Sequence, residues 1–268
     1  MPRQISNFIP SLKWLRLSSN QITDLRRKDF EGYQHIEILE LYNNKITSLD
    51  AGVFGLLKNL DNLGLANNGI SELKNGVFSG LNSLETLGVE ENKITTIEAG
   101  VFLDIPSLNY LFLGKNEMRS FKPGTFGNIK HISIKQNLLT NVHREWFESS
   151  PIIMDLYDNP VRCDCNLYGN LKAFNGTIFD RLKCRSPFEM VDKGANDILR
   201  YNPLNCTVCD HQPCKHDSTC KPLDESYHCE CSKGYSGKNC EKGSTASDLS
   251  SPSYIVLIIL VLVALIVE

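Results

Sequence analysis

The stretch LDNLGLANN, residues 60–68, decides how this chain folds. Leu60, Leu63 and Leu65 precede Asn68 with the spacing L-x-x-L-x-L-x-x-N. The same spacing places Leu12, Leu15 and Leu17 before Asn20, and Leu108, Leu111 and Leu113 before Asn116. Asparagines recur every 24 residues at Asn20, Asn44, Asn68, Asn92 and Asn116, then at Asn137 and Asn159 after steps of 21 and 22. A phenylalanine follows ten residues after each of the first six: Phe30, Phe54, Phe78, Phe102, Phe126 and Phe147. A second apolar pair lies two and five residues after each of the first six asparagines, as in Ile22 and Leu25 or Ile46 and Leu49.

Each part of the pattern has a physical reason. L-x-L is a short strand that sends alternate side chains into a core. An asparagine side chain satisfies backbone groups at the tight turn that leaves the strand, and in a stack these residues make a ladder. The phenylalanine fills the opposite, convex side. One unit cannot bury its own apolar face, but stacked units can, so the fold expected is a solenoid.

These residues resemble the leucine-rich repeat family, of the extracellular type with 24-residue units, over roughly residues 8–160. The resemblance implies an α/β-type solenoid, a curved horseshoe whose parallel sheet lines the concave face. Residues 1–159 are read as the repeats, about seven of them. Ile9-Pro10-Ser11-Leu12 matches Ile105-Pro106-Ser107-Leu108, so the chain starts inside a unit. It starts without a cysteine cap or the apolar core of a signal peptide, which reads as a truncated N-terminus.

All ten cysteines lie between Cys163 and Cys240. The first two sit in NPVRCDCNL, residues 159–167. A redox site prefers C-x-x-C beside a βαβ unit. Structural zinc prefers paired C-x₂₋₄-C knuckles. A disulfide-stapled plug for the open end of the stack fits better. Residues 160–206 resemble the C-terminal cysteine-rich flank of leucine-rich repeat proteins, and that likeness implies Cys163–Cys184 and Cys165–Cys206 bonds.

Cys209, Cys214, Cys220, Cys229, Cys231 and Cys240 are spaced C-x₄-C-x₅-C-x₈-C-x-C-x₈-C. Arithmetic allows 15 pairings. With Gly234, Tyr235 and Gly237 before the last cysteine, residues 207–241 resemble an epidermal growth factor-like (EGF-like) module. That resemblance implies Cys209–Cys220, Cys214–Cys229 and Cys231–Cys240. The acidic pair that calcium-binding members carry before the first cysteine is missing, since Asn205-Cys206-Thr207-Val208 stands there, so no metal is expected. Thr219 and Ser236 match the family's O-glycosylation patterns, and Asn175 and Asn205 begin N-glycosylation sequons.

Residues 242–253 read as a polar stalk. The fourteen residues 254–267 are apolar. As a helix they rise about 21 Å against roughly 30 Å of hydrocarbon. Either a short transmembrane helix or a glycosylphosphatidylinositol signal results, with the transmembrane reading favoured. Both hold the folded part outside a cell surface.

The net charge of −3, from 28 basic and 31 acidic residues without a basic stripe, gives no reason to expect nucleic acid. No nucleophile–base pairing, P-loop, H-E-x-x-H or G-x-G-x-x-G occurs, and the six histidines lie singly, so neither an enzyme nor a cofactor is expected. Residues between the strand leucines face the concave side: Trp14, Arg16, Glu40, Tyr42, Thr86, Glu90, Tyr110, Phe112, Lys135, Asp155 and Tyr157. Exposed aromatics among scattered charges have the chemistry of interface hot spots. Gly64, Ala66, Gly88 and Gly114 leave a bare strip nearby.

The order of parts resembles Slit-type and vasorin-type proteins, but with one EGF-like module and no fibronectin-like domain. It implies a membrane-anchored receptor or adhesion protein that binds an extracellular protein ligand and needs a co-receptor to signal. The alternatives are a shed matrix scaffold that traps a growth factor, and innate recognition of microbial glycans or lipids.

Overall fold

A computed structural model describes residues 11–122, 124–127, 129–143, 146, 153–173, 179–186, 190–201, 209, 214–223 and 226–243. The chain divides into two compact units, Met1–Leu204 and Asn205–Glu268.

In the first unit the L-x-L trios form strands. These are β1 (Trp14–Arg16), β2 (Ile38–Glu40), β3 (Asn62–Gly64), β5 (Thr86–Gly88), β7 (Tyr110–Phe112), β8 (His131–Ser133) and β9 (Ile153–Asp155). They pair in parallel in one sheet, ordered β1-β2-β3-β5-β7-β8-β9, and β10 (Phe179–Asp180) adds an eighth strand beside β9. The register is in phase: Leu15, Leu39, Leu63, Leu87, Leu111, Ile132 and Met154 lie side by side. From Leu39 to Met154 every one of these side chains is buried. A second, two-stranded parallel sheet pairs β4 (Glu72–Leu73) with β6 (Thr96–Ile97).

The asparagine ladder ties neighbouring units together. Asn44 donates to the Leu41 carbonyl at 2.9 Å and to Leu17 of the preceding unit at 3.0 Å, and its Oδ1 accepts from the Ile22 N–H at 3.1 Å. Asn68, Asn92, Asn116, Asn137 and Asn159 repeat this three-way pattern. One side chain thus satisfies three backbone groups that the turn leaves without partners. The residue before each ladder asparagine, from Ser19 and Asn43 to Gln136 and Asp158, is left-handed, with φ between 51° and 60°. Asparagine and aspartate tolerate that region, whereas Glu91, Lys115 and Gln136 carry a local cost there.

Phenylalanines pack the convex side, with ring centroids 5.6 Å apart for Phe30–Phe54 and 6.3 Å for Phe78–Phe102. Phe147 lies outside the described residues. Each of Phe54, Phe78, Phe102 and Phe126 follows a glycine two residues earlier, and Gly52, Gly76, Gly100 and Gly124 all have positive φ. The parallel-sheet solenoid expected is present, and helices are few. Among the described residues of the repeats the convex side is made of turns, β4–β6, a 3₁₀ turn at Arg27–Phe30 and 3₁₀ backbone at Trp146, and a left-handed glycine two residues before the phenylalanine disfavours α-helix there. The two α-helices described, α1 (Cys165–Ala173) and α2 (Ala195–Tyr201), lie beyond the repeats.

Residues between Cys163 and Ile198 continue the core. Cys163 and Cys184 are bonded and fully buried, next to buried Leu167, Leu171, Leu182, Met190 and Ile198. Cys165 is also disulfide-bonded, whereas Cys206 lies outside the described residues. No described helix is long and apolar enough to cross a membrane, and the apolar tail 254–267 lies outside the described residues.

The second unit is small. A hairpin pairs β11 (Thr219–Leu223) with β12 (Ser226–Glu230), and β13 (Tyr235–Ser236) pairs with β14 (Lys242–Gly243). Bonds Cys209–Cys220, Cys214–Cys229 and Cys231–Cys240 stand where a larger domain would place a core.

Candidate concave binding face

Strand register turns the outward residues of the large sheet into rows. One row runs Trp14, Ile38, Asn62, Thr86, Tyr110, His131, Ile153. The next runs Arg16, Glu40, Gly64, Gly88, Phe112, Ser133, Asp155. Tyr42, Glu90, Lys135 and Tyr157 follow two residues further along their chains, and residues two apart share a face.

The face has two aromatic ends and a bare middle. At one end Trp14 is exposed, and Arg16 donates to the Tyr42 hydroxyl at 2.7 Å and to Ser18 Oγ at 3.2 Å. Arg16 Nε also sits 3.1 Å from Glu40 Oε2, yet that oxygen is buried without a hydrogen bond. The contact is Coulombic, because the Nε–H is aimed at Ser18. In the middle, the positions of Gly64 and Gly88 carry no side chain, and Glu90 folds back so far that a Cβ at Gly88 would meet its Oε2 at 2.9 Å. Burial raises the Glu90 carboxyl above its ordinary value, and hydrogen bonding to its own backbone and the charge of Lys135 oppose that only in part. Lys135 in turn lies across Gly114, where a Cβ would meet its Cγ at 3.0 Å.

At the other end Tyr110 and His131 stack with centroids 5.0 Å apart, beside exposed Phe112 and Ile153. Arg181, just past β10, pairs with Asp155 and lies 5.8 Å over the Tyr157 ring. Asp155 is thereby corrected as an exposed contact. It is only 8% exposed, holds Arg181, and accepts the Tyr157 N–H at 3.0 Å, so it positions the end of the sheet rather than facing a ligand. Glu40, Tyr42, Thr86, Glu90 and Lys135 are half-buried, and the remaining expected residues are exposed.

Asn62, His131 and Ile153 belong to this face as well. Their place in the 24-residue period signalled it. Arg181 carried no such signal, since β10 has no L-x-L trio before it. Five of the eight large apolar side chains exposed among the described residues lie here: Trp14, Tyr110, Phe112, Ile153 and Tyr157, each 37–54% exposed. In the second unit Thr219 and Ser236 are exposed, whereas Asn175 and Asn205 lie outside the described residues. No group of side chains suited to a metal ion occurs among the described residues.

Comparison with known proteins agrees with this architecture. The Leucine rich repeat family matches residues 10–70 and 58–118, and the EGF-like domain family matches residues 209–239. Among solved structures, the TLR13–ssRNA13 complex aligns with TM-score 0.61 and 27% identity over 69% of this chain and 27% of that one. Human 5T4 (Wnt-activated inhibitory factor 1, trophoblast glycoprotein) aligns with TM-score 0.53 and 22% identity over 73% of this chain and 87% of its own, a likeness of fold alone. Protein eyes shut homolog from Danio rerio is 32% identical over 93 residues, and the Macaca fascicularis protein is 50% identical over 36. These matches cover 34% and 13% of the chain but only 3% and 1% of those proteins. Leucine-rich repeats followed by a disulfide-rich segment and an EGF-like domain suggest an extracellular or cell-surface location and a role in protein interaction. The chain carries leucine-rich repeats over residues 10–118 and an EGF-like domain over residues 209–239, on their C-terminal side.

Proposed function

We propose that this chain is a non-enzymatic extracellular protein that binds a protein ligand on the concave face of its repeats. One observation carries the reading: most of the exposed large apolar side chains described gather on that face. Exposing aromatic rings costs solvation free energy, and a partner that covers them recovers it. Tyr110, Phe112 and Tyr157 are the anchors of the contact, and Trp14 is a second centre at the opposite end. Segment 160–206 acts as the structural cap. Residues 242–253 serve as a stalk, and the apolar composition of residues 254–267 supports retention at a membrane.

A binding screen of the protein against cell-surface and secreted partners tests this. Tyr110→Ala combined with Phe112→Ala removes two exposed rings without touching the core. Capture of the wild type's partners is expected to fall at least about tenfold, since one central aromatic hot spot is worth about 2 kcal/mol. Equal capture by both proteins rejects the concave-face assignment. Release from cells by a phosphatidylinositol-specific lipase separates a lipid anchor from a spanning helix.

A further inference from the structure

A second site lies away from the concave face, where the convex turns lead back toward β2 and β3. A cavity of about 440 Å³ is lined there by Arg27, Gln34, His35, Gly55, Leu56, Lys58 and Asn59. Its polar side chains are a guanidinium, an ammonium, an imidazole and two carboxamides, with no carboxylate. Among the described residues none of Arg27, His35 and Lys58 has an ion-pair partner, whereas Lys13, nearby in sequence, is taken by Glu37 at 2.6 Å. Glu31 and Glu37, the closest carboxylates in sequence to His35, lie outside the lining.

Gly55 makes room for the arrangement. A Cβ there would meet Arg27 Nη1 at 3.0 Å and the Gly52 carbonyl at 3.1 Å, so the guanidinium rests over bare backbone. The cluster is not repeat chemistry. One unit further on, the positions of Arg27, Lys58 and Gly55 hold Ala51, Asn82 and Ser79, and the next gap has lost both cations. Arg27, His35 and Lys58 therefore set this gap apart from the next one.

We infer that this cavity is an oxyanion site that takes sulfate groups of a sulfated polysaccharide. The guanidinium fork matches the oxygens of a sulfate ester bidentately, and the ammonium supplies a point charge. Gln34 and Asn59 each offer a donor and an acceptor, as sugar hydroxyls require, and Leu56 adds a small apolar floor. A polymer rather than a lone ion is called for because Arg27, His35 and Lys58 are all exposed. Screened contacts of that kind are weak singly and gain strength when one chain engages several. The site is independent of the concave face, and each reading stands or fails alone.

The full chain is titrated with a size-defined heparin oligosaccharide, the same oligosaccharide after desulfation, poly-glutamate and inorganic sulfate. The wild type is expected to bind the sulfated oligosaccharide, and the other three at least about tenfold more weakly. Arg27→Gln with Lys58→Gln is expected to weaken oligosaccharide binding at least about tenfold, with an unchanged circular dichroism spectrum. Lys45→Gln with Lys93→Gln removes the same charge elsewhere and is expected to leave binding within about twofold, as is Tyr110→Ala with Phe112→Ala. Equal losses in the two charge variants refute the site in favour of diffuse attraction. Poly-glutamate or inorganic sulfate binding as tightly as the oligosaccharide refutes the sulfated-polysaccharide ligand.

Discussion

Replacing Asn116 by alanine tests what the ladder contributes. Asn116 is 6% exposed. Its amide nitrogen donates to the carbonyls of Val89 and Leu113, both at 3.0 Å, and its Oδ1 accepts the Ile94 N–H at 2.9 Å. Truncation leaves the Ile94 N–H buried without its partner, at about 1–3 kcal/mol, whereas the Val89 and Leu113 carbonyls each lose one of two amide donors and keep Asn92 and Asn137, both at 3.0 Å. With about 0.5–1 kcal/mol for each of the two lost amide–carbonyl bonds, the expected loss is about 2–4 kcal/mol. That is a large share of a domain's usual stability of about 5–15 kcal/mol. Asn20 is the internal control. It is exposed, and among the described residues its amide bonds to Leu17 and Ser18 of its own turn alone, at 3.0 and 3.2 Å. Asn20→Ala is expected to cost at most about 1 kcal/mol. Asn116→Asp separates the two roles, because aspartate keeps the acceptor for Ile94 but, once ionised, cannot donate to Val89 or Leu113. It should lose at least as much as the alanine variant at neutral pH and recover part on acidification. Urea unfolding followed by circular dichroism reads the difference as a fall in midpoint of about 1–2 M for Asn116→Ala. If Asn116→Ala and Asn20→Ala lose the same, or if the former loses under about 1 kcal/mol, the ladder is not what joins the units.

Two further outcomes follow from the cap and the concave face. Cys163→Ser with Cys184→Ser opens a link of sequence separation 21, and chain entropy for a loop of that size predicts a loss of about 3 kcal/mol, read as a lower unfolding midpoint. Glu90 has its folded-state carboxyl raised by burial, so its contribution is complete below the unfolded carboxylate range and is lost as pH rises through the folded value. Glu90→Gln should therefore gain on the wild type as pH rises from about 4 to 7. Parallel stability curves for the two proteins across that window contradict the assignment.

The units, their strands and the ladder were legible because each depends on residues at a fixed separation. Leu63 predicts Leu87 as its neighbour from the period alone, and the parallel register obeys it. The G-x-F recurrence at Gly52, Gly76, Gly100 and Gly124 was equally periodic, and it marks the turns that displace helix from the convex side. Glu91, Lys115 and Gln136 gave no warning of their left-handed backbone, since long side chains do not favour it and the stack imposes it. Arg181 and Asp155 were not legible as a pair either. They lie 26 residues apart, across the irregular spacing of the cap, and only the packing of β10 on β9 brings them together.

The amino-acid sequence by itself determined the solenoid, the direction of its strands and the location of its cysteines, because short-range periodicity dictates which side chains can be buried. The tertiary structure alone decided which concave side chains are exposed, that Asp155 is not among them, and that Arg27, His35 and Lys58 share one cavity. Those outcomes depend on contacts between units, and a period describes what each unit repeats rather than what differs across the gap to its neighbour.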